Sequence, residues 1–251
     1  MRVFENIDLS SRCTFHVGGL AEKYYEPENE DELTGLAADI YRSDGRVYIL
    51  SGGSNLLIND KTVFSKVISM RIACLNFIDF GDGRFYIGAS LSIQKVIHDI
   101  NNLGYGGIEE LIGLPALFGG IVYMNAGIGG ESRSLFTIGQ FIEKVKVYNY
   151  KSESIEWIPS NNCEFGHRKS IFQNDGYLIL GAEVKFQEQP FAVSEEKIKM
   201  RQKFCKENFE YGKGCFGTCF SKSSGKLLNL AAKLSNGGGC SSVVSKCKLA
   251  C

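Results

Sequence analysis

Nine glycines lie between Gly104 and Glu131, and this segment constrains the fold more than any other part of the chain. Glycine permits a positive φ and lets another backbone or a ligand approach closely. The same segment also carries Leu, Ile, Phe, Val and Met, so it has the apolar content that a flexible linker lacks. It predicts either a buried, tightly turned segment whose free N–H groups face a negative group such as a phosphate, or a run of tight turns in an ordinary sheet.

A second glycine motif, SGGSNLLIND, follows a short apolar strand predicted at 46–50. Such a loop can present consecutive N–H groups and a hydroxyl to a diphosphate. It lacks both the G-x-G-x-x-G pattern and the lysine of a P-loop, so a glycine-rich hairpin connection is the alternative interpretation.

The charge balance gives no electrostatic argument for nucleic acid or a membrane surface, because Lys+Arg and Asp+Glu both number 28. The start of the chain, MRVFENIDLSSR, lacks the apolar core of a secretion signal, and no apolar run is long enough to span a bilayer. We therefore expect a cytoplasmic protein with no nucleic-acid or membrane partner.

Nine cysteines are scattered along the chain without a C-x-x-C pair, and only three histidines accompany them. That pattern does not favour a zinc site, so no metal is expected, and the thiols are interpreted as reduced and buried or incidental.

Hydrophobic periodicity predicts a mixture of helices and strands. Helices are expected at 27–44, 91–103, 193–210 and 227–234, with His98 on the surface of the second. Strands are expected at 46–50, 63–73, 85–89 and 177–186, together with two short strands joined by a glycine turn within 10–26. A hairpin is expected at 141–150 and 154–158, with Trp157 anchored in the core.

A third motif, EFGHRKSIF, places Arg168 in a polar loop before an apolar strand. The guanidinium is a permanent, planar charge suited to a carboxylate or a phosphate, although most arginines simply lie on the surface.

Taken in order, these motifs resemble those of the UDP-N-acetylenolpyruvoylglucosamine reductases, the MurB family of peptidoglycan synthesis. CTFHVGG (13–19) is similar to N-T-F-x-x-G-G, and LSGGSNLLIND (50–60) to a G-G-G-S-N-L-L loop. IEELIGLPALFGGIVYMNAGIGGE (108–131) resembles G-I-P-G-x-x-G-G-A-x-x-M-N-A-G-A-Y-G. FGHRKSIF (165–172) resembles F-x-Y-R-x-S-x-F, and GTCFSK (217–222) lies where the family has G-S-x-F-K-N-P.

The resemblance implies an α+β fold of the FAD-binding PCMH/vanillyl-alcohol-oxidase type. Two FAD-binding subdomains (1–72 and 73–212) would precede a shortened MurB-type substrate domain (213–251). The cofactor would be FAD, with NADPH as hydride donor, and the substrate a UDP-sugar whose enolpyruvyl group is reduced to form UDP-N-acetylmuramate. The shortened domain could dock on the flavin domains or pair with another chain as an oligomer.

The resemblance also assigns roles to residues. Arg168 would bind the substrate carboxylate, and Thr218 would donate the proton. His167 stands where the family usually has tyrosine, and Cys219 would act as the acid if the loop register shifts by one. The cofactor-binding set it implies is Gly52, Gly53, Ser54, Asn55, Leu56, Gly113, Pro115, Gly119, Gly120, Asn125, Ala126 and Gly127.

Two departures from the family pattern leave other functions open. Ser221, Lys222 and Ser223 replace K-N-P, and the chain stops at Cys251 without an H-A-N-F-like strand or a late glutamate. The alternatives are a divergent FAD-binding oxidoreductase acting on another small metabolite, and a flavin-binding partner protein without catalysis.

Overall fold

The computed structural model describes residues 1–128 and 136–208, which contain two main sheets and two clusters of buried apolar side chains. The first four strands are β1 (Arg2–Asp8), β2 (Leu20–Glu26), β3 (Ile49–Leu50) and β4 (Val63–Ser69). They form a sheet in the order β1-β2-β4-β3, in which β1 is antiparallel to β2 while β4 runs parallel to both β2 and β3. Helix α1 (Glu30–Asp44) lies in the connection from β2 to β3, as the long connections of parallel strands require.

Helix α1 is delimited by local sequence signals at its two ends. The Asn29 side chain accepts a hydrogen bond from the N–H of Glu32 at 2.9 Å, and three acidic residues occupy the first turn. Both features stabilise the positive end of a helix. At the other end Gly45 adopts φ 68° and donates to the carbonyl of Tyr41, which is a common helix stop.

The remaining elements build the second sheet and its cover. Their strands are β5 (Phe77–Gly81), β6 (Arg84–Gly88), β7 (Tyr105–Gly106), β8 (Gly127–Ile128), β9 (Phe136–Thr137), β10 (Ile142–Asn149), β11 (Ser154–Pro159), β12 (Tyr177–Lys185) and β13 (Gln187–Glu188). Their helices are α2 (Ile93–Asn102), α3 (Phe118–Tyr123) and α4 (Phe191–Asn208). Five of these strands form an antiparallel sheet in the order β11-β10-β12-β6-β5, and the pairs β13-β7 and β8-β9 are separate two-stranded ribbons.

The main core lies between the second sheet and its helices. Helix α2 contributes Ile93, Val96, Ile97 and Ile100, all with zero exposure. Their spacing places them on one face, and burial of each such side chain contributes about 2 kcal/mol. A smaller cluster made of Leu9, Cys13, Ala21, Tyr24, Leu50 and Val67 lies under the first sheet.

A buried carboxylate fastens α4 to the glycine-rich segment. Glu109, only 2% exposed, accepts hydrogen bonds from the N–H of Gly107 (3.0 Å), from Gln189 Nε2 (2.6 Å) and from Ser194 Oγ (3.2 Å). Lys197 Nζ lies 3.9 Å from its other oxygen. The negative charge is therefore satisfied inside the protein, as a buried charge must be.

Most predicted elements are confirmed, among them the helices that become α1, α2 and α4 and the hairpin of β10 and β11. His98 is exposed, as expected. Strand β5 was not predicted, and the helix expected at 227–234 lies outside the described residues.

Two predictions were wrong. Residues 10–19 contain no strand: Leu9–Arg12 form a 3₁₀ helix and His16 takes a left-handed φ of 57°. The antiparallel partner of β2 is the earlier β1. Trp157 is 40% exposed rather than anchored in the core, because β11 lies at the edge of its sheet. Its ring packs against the edge of Tyr86 and beneath the Lys144 ammonium.

Within residues 1–128 and 136–208, none of the helices combines the length and the apolar character needed to cross a bilayer.

Candidate functional site

The loop Ser51–Ser54 begins where β3 ends and supplies unused backbone donors. Among the described residues, the N–H groups of Gly52, Gly53 and Ser54 have no hydrogen-bond partner. Gly53 adopts φ 67°, a left-handed conformation of the kind found in anion-binding turns. Consecutive free N–H groups of this kind form an anion-binding concavity.

This loop is wedged between two other predicted motifs. A Cβ on Gly53 would lie 2.5 Å from the carbonyl oxygen of Arg12, and a Cβ on Gly52 would lie 3.2 Å from that of Pro115. The N–H of Thr14 donates to the carbonyl of Gly53 at 3.1 Å. Three motifs that are distant in sequence therefore meet at one point, and their close contact requires glycine in the central loop.

The long glycine segment uses most of its donors within the protein. The N–H groups of Phe118 and Gly119 donate to the carbonyls of Leu91 and Ala89 at 2.8 and 2.9 Å, and the N–H groups of Leu114 and Ala116 are bonded within the segment. Pro115 has no N–H to offer. The expectation that both glycine motifs present free N–H groups therefore fits the Ser51–Ser54 loop far better than residues 114–119.

Close packing accounts for three glycines of the predicted cofactor-binding set. A Cβ on Gly113 would meet the Cys205 sulfur of α4, one on Gly119 would meet Ala89, and one on Gly127 would meet the carbonyl of Phe136. Each of these positions therefore excludes a side chain whether or not a ligand is bound. A direct role for them with a cofactor stays a prediction.

Ser51 lies beside these glycines and was not among the predicted site residues. Its hydroxyl oxygen is buried without a partner, and it lies 3.2 Å from the place that a Cβ on Gly120 would occupy. Buried hydroxyls normally have partners, so this one is available to a bound group beside the loop. The sequence could have identified Ser51 as a candidate, because it occupies the first glycine position of the G-G-G-S-N-L-L pattern.

The other predicted loop residues differ in exposure. Ser54 is half-buried, while Asn55, Leu56 and Pro115 are exposed. Ala126 is buried, and its N–H donates to the carbonyl of Ile121 at 2.8 Å.

Arg168 lies in a tight turn between β11 and β12. Gly166 and Lys169 exchange two backbone hydrogen bonds of 3.0 and 3.2 Å, so His167 and Arg168 occupy the tip of the turn. Arg168 has φ 57°, a left-handed conformation that strains a residue with a side chain. Its side chain is half-buried, and its guanidinium has no ion pair or hydrogen bond with any described residue. His167 is exposed.

Side chains fasten this turn to the carboxyl end of α3. The buried amide of Asn125 donates to the carbonyl of Gly166 at 2.8 Å, and Ser170 Oγ donates to the carbonyl of Tyr123 at 2.7 Å. Gln173 Nε2 donates to the carbonyl of Arg168 at 3.0 Å. Ser170 matches the serine of F-x-Y-R-x-S-x-F, but neither it nor Gln173 was predicted as a site residue, because sequence does not show which distant carbonyl a side chain reaches.

Helix α3 therefore lies between the loop Ser51–Ser54 and the turn of Arg168. Gly120 near its start faces Ser51, and its end holds the turn of Arg168. Six residues of α-helix span about 9 Å, which suits a site that binds a negative group at one end and a second negative group at the other. At the carboxyl end of α3, the pKa of Tyr123 is raised, mainly by burial and to a lesser extent by the Asp175 carboxylate.

The cysteines within the described residues are buried and free, as predicted: Cys13, Cys74, Cys163 and Cys205. Burial raises the pKa of Cys13, with the charge of Arg71 opposing, and raises the pKa of Cys74 and of Cys163 to about 12. These thiols are therefore protonated at neutral pH and are unsuited to act as nucleophiles.

Within the described part of the chain, His, Cys, Asp and Glu side chains form no group of three that could hold a metal ion. Thr218 and Cys219, the predicted proton donors, lie outside the described residues, as do Gly129 and Gly130.

Comparison with known proteins identifies relatives that share most of this chain. The UDP-N-acetylenolpyruvoylglucosamine reductase of Bacillus pumilus is 26% identical over 220 residues, which are 87% of this chain and 70% of the relative. That of Leptospira interrogans is 31% identical over 197 residues, or 77% of this chain and 59% of the relative. No protein-family model matches the chain.

Solved structures support the same relationship. The UDP-N-acetylenolpyruvylglucosamine reductase (MurB) of Thermus caldophilus superimposes with a TM-score of 0.72 at 26% identity, over 92% of this chain and 80% of that one. A cholesterol oxidase of Brevibacterium sterolicum shares the fold alone, with a TM-score of 0.54 at 9% identity over 74% of this chain and 38% of that one. The fold is thus the expected α+β type of the FAD-binding PCMH/vanillyl-alcohol-oxidase proteins, and over most of its length the chain is similar to the UDP-N-acetylenolpyruvoylglucosamine reductases (MurB).

Proposed function

We propose that this chain is an FAD-dependent oxidoreductase of the MurB type, which uses NADPH to reduce the enolpyruvyl group of a UDP-sugar. The product would be UDP-N-acetylmuramate, a precursor in peptidoglycan synthesis. Similarity over most of the chain supports the reaction class, because the relatives are named as reductases of this UDP-sugar.

The observation that carries the proposal is the pairing of two anion sites across α3. The free N–H groups of Gly52, Gly53 and Ser54, with the unpartnered hydroxyl of Ser51 beside them, fit a dinucleotide diphosphate. The unpartnered guanidinium of Arg168 fits a carboxylate. An FAD enzyme that acts on an enolpyruvyl acid must bind both the diphosphate of the cofactor and the carboxylate of the substrate.

The chemistry that FAD supplies when bound is the transfer of hydride from NADPH to the substrate double bond. Arg168 would bind the substrate carboxylate and stabilise the negative charge that develops as the hydride arrives. The reaction balances with one proton, added to the carbon next to the one that receives the hydride. Thr218 is our candidate donor, with Cys219 as its alternative.

His167 shares the tip of the turn with Arg168 and is exposed, so it is free to contact the sugar nucleotide. The remaining cofactor residues of the proposal are Asn55, Leu56, Gly113, Pro115, Gly119, Gly120, Ala126 and Gly127.

The test uses the purified full chain under anaerobic conditions. We expect a yellow protein that NADPH bleaches and that UDP-N-acetylglucosamine enolpyruvate then reoxidises. Bleaching without reoxidation by that sugar would favour a flavin enzyme acting on another metabolite. A folded, colourless protein that fails to bind added FAD would contradict the proposal altogether.

A further inference from the structure

Both polar atoms of the Asn125 side chain bond to the backbone of the chain. Its Nδ2 donates to the carbonyl of Gly166 at 2.8 Å, and its Oδ1 accepts from the N–H of Gly139 at 2.9 Å. The residue is only 2% exposed and has φ 41°. Asparagine is among the few residues that tolerate a left-handed backbone. Asn125 therefore suits this position both in its backbone conformation and in the hydrogen bonds of its amide.

Gly166 is the first residue of the turn that carries Arg168. Because Gly166 and Lys169 are bonded to each other in both directions, fixing the carbonyl of Gly166 fixes the whole turn. Arg168 keeps its strained φ of 57° only while its surroundings hold it there. The bond from Asn125 is one of these restraints, and the bond from Gln173 to the carbonyl of Arg168 is another.

The guanidinium itself is not restrained in this way, since it has no partner among the described residues. The direction of the Arg168 side chain therefore depends on the backbone of the turn. Asn125 lies two residues after the end of α3, so it links the orientation of the Arg168 turn to the helix whose other end faces Ser51.

We propose that Asn125 is a positioning residue for Arg168. Its amide holds the turn so that the guanidinium meets the substrate carboxylate. This role replaces the cofactor-binding role that the resemblance implies for Asn125, because its Nδ2 and Oδ1 are both bonded to the backbone of the chain. This inference rests on the proposed function, from which it takes the role of Arg168.

The decisive variant is Asn125→Asp in the FAD-loaded protein. Aspartate has the same size and tolerates the left-handed backbone. In its ionised form it can still accept from Gly139 but cannot donate to Gly166. We expect bound FAD and the rate of reduction by NADPH to stay at wild-type values. The dissociation constant of the enolpyruvyl UDP-sugar, and its KM, should rise about tenfold, which corresponds to one lost hydrogen bond.

A double-mutant cycle separates positioning from a general loss of stability. If Asn125 acts through Arg168, Asn125→Asp should have no further effect on kcat/KM in an Arg168→Ala background. Additive losses would overturn the proposal, as would loss of FAD from Asn125→Asp alone. Asn149→Asp, which makes the same chemical change on the β10–β11 hairpin, is the matched control and should leave KM unchanged.

A second measurement keeps this inference distinct from the proposed function. If the wild-type protein binds FAD but the UDP-sugar fails to reoxidise it, the proposed function has failed. Modification of Arg168 by phenylglyoxal, located by mass spectrometry, then decides the positioning claim. A several-fold faster modification in Asn125→Asp than in the wild type supports it, and an unchanged rate overturns it.

Discussion

The N–H of Thr14 donates a hydrogen bond to the carbonyl of Gly53 at 3.1 Å, across a sequence separation of 39 residues. This bond holds the first motif against the loop that supplies the free N–H groups. On its other side the loop touches Pro115, so its backbone has little freedom to move before a ligand arrives. A site formed in advance loses less affinity to ordering than one that must assemble on binding.

Gly53→Ala should therefore damage both stability and FAD binding. The left-handed φ of 67° costs alanine about 1–2 kcal/mol, and the contact with the Arg12 carbonyl adds about 1–3 kcal/mol. Gly45→Ala is a matched control, because Gly45 has φ 68° with open space around it. Urea unfolding and FAD titration of both variants measure the difference. Equal losses of stability, with FAD affinity intact in both, would show that the loop is not closely packed.

Arg168→Ala should retain FAD and its reduction by NADPH while lowering kcat/KM for the enolpyruvyl UDP-sugar. Removal of one group that stabilises developing charge typically costs a factor of about 100–1,000 in rate. Stopped-flow measurement of the two half-reactions tests this separation. Loss of FAD from Arg168→Ala would mean that its role has been misplaced.

A glycine at the same position separates backbone strain from charge. Arg168→Gly should be about 1 kcal/mol more stable than Arg168→Ala, because glycine adopts φ 57° without strain. Its kcat/KM should be no better than that of Arg168→Ala, since both lack the guanidinium. Equal stability of the two variants by urea unfolding would argue against a strained turn.

The helices were predictable because their signals are local. Helix α1 begins after Asn29 and ends before Gly45, and its buried residues recur with helical spacing. The strand expected before β2 failed because its alternation, carried by Phe15 and Val17, was too short to outweigh contacts made elsewhere. Gly18 and Gly19 press against the backbones of Leu9 and Thr62, which fixes an irregular path.

The motifs of the site were predictable, but the partners of their backbone groups were not. The pattern around Gly119 looks like a row of free donors, yet Ala89 and Leu91 accept from that segment. Sequence alone does not reveal which distant carbonyl lies opposite a given N–H. For the same reason, the sequence did not reveal that the Ser51 hydroxyl lacks a partner or that Gln173 anchors the turn of Arg168.

Glu109→Gln should destabilise the protein by about 2–3 kcal/mol. The amide would place an NH₂ group among donors from Gly107, Gln189 and Ser194, and it would remove the charge near Lys197. Glu110→Gln is the control and should change stability by less than about 0.5 kcal/mol, since Glu110 has no ion pair or side-chain hydrogen bond among the described residues. The free energy of unfolding in urea measures both. A similar small change in the two variants would contradict the anchoring role of Glu109.

Stability should fall as the pH rises above 9, because two buried thiols resist ionisation. Burial raises the pKa of Cys74 and Cys163 to about 12 from 9.0, and Cys163 Sγ also donates to the carbonyls of Ile158 and Pro159. Between pH 9 and 12 the unfolded chain loses protons that the folded protein keeps, so each thiol lowers the free energy of unfolding by up to about 1.4 kcal/mol per pH unit. Tyrosines whose pKa is also raised by burial, such as Tyr150, add to the slope at higher pH. Urea unfolding of Cys163→Ala at several pH values isolates one thiol, since that variant should show a shallower slope than the wild type whatever its stability at pH 8. Parallel curves for the two proteins would contradict a buried, protonated Cys163.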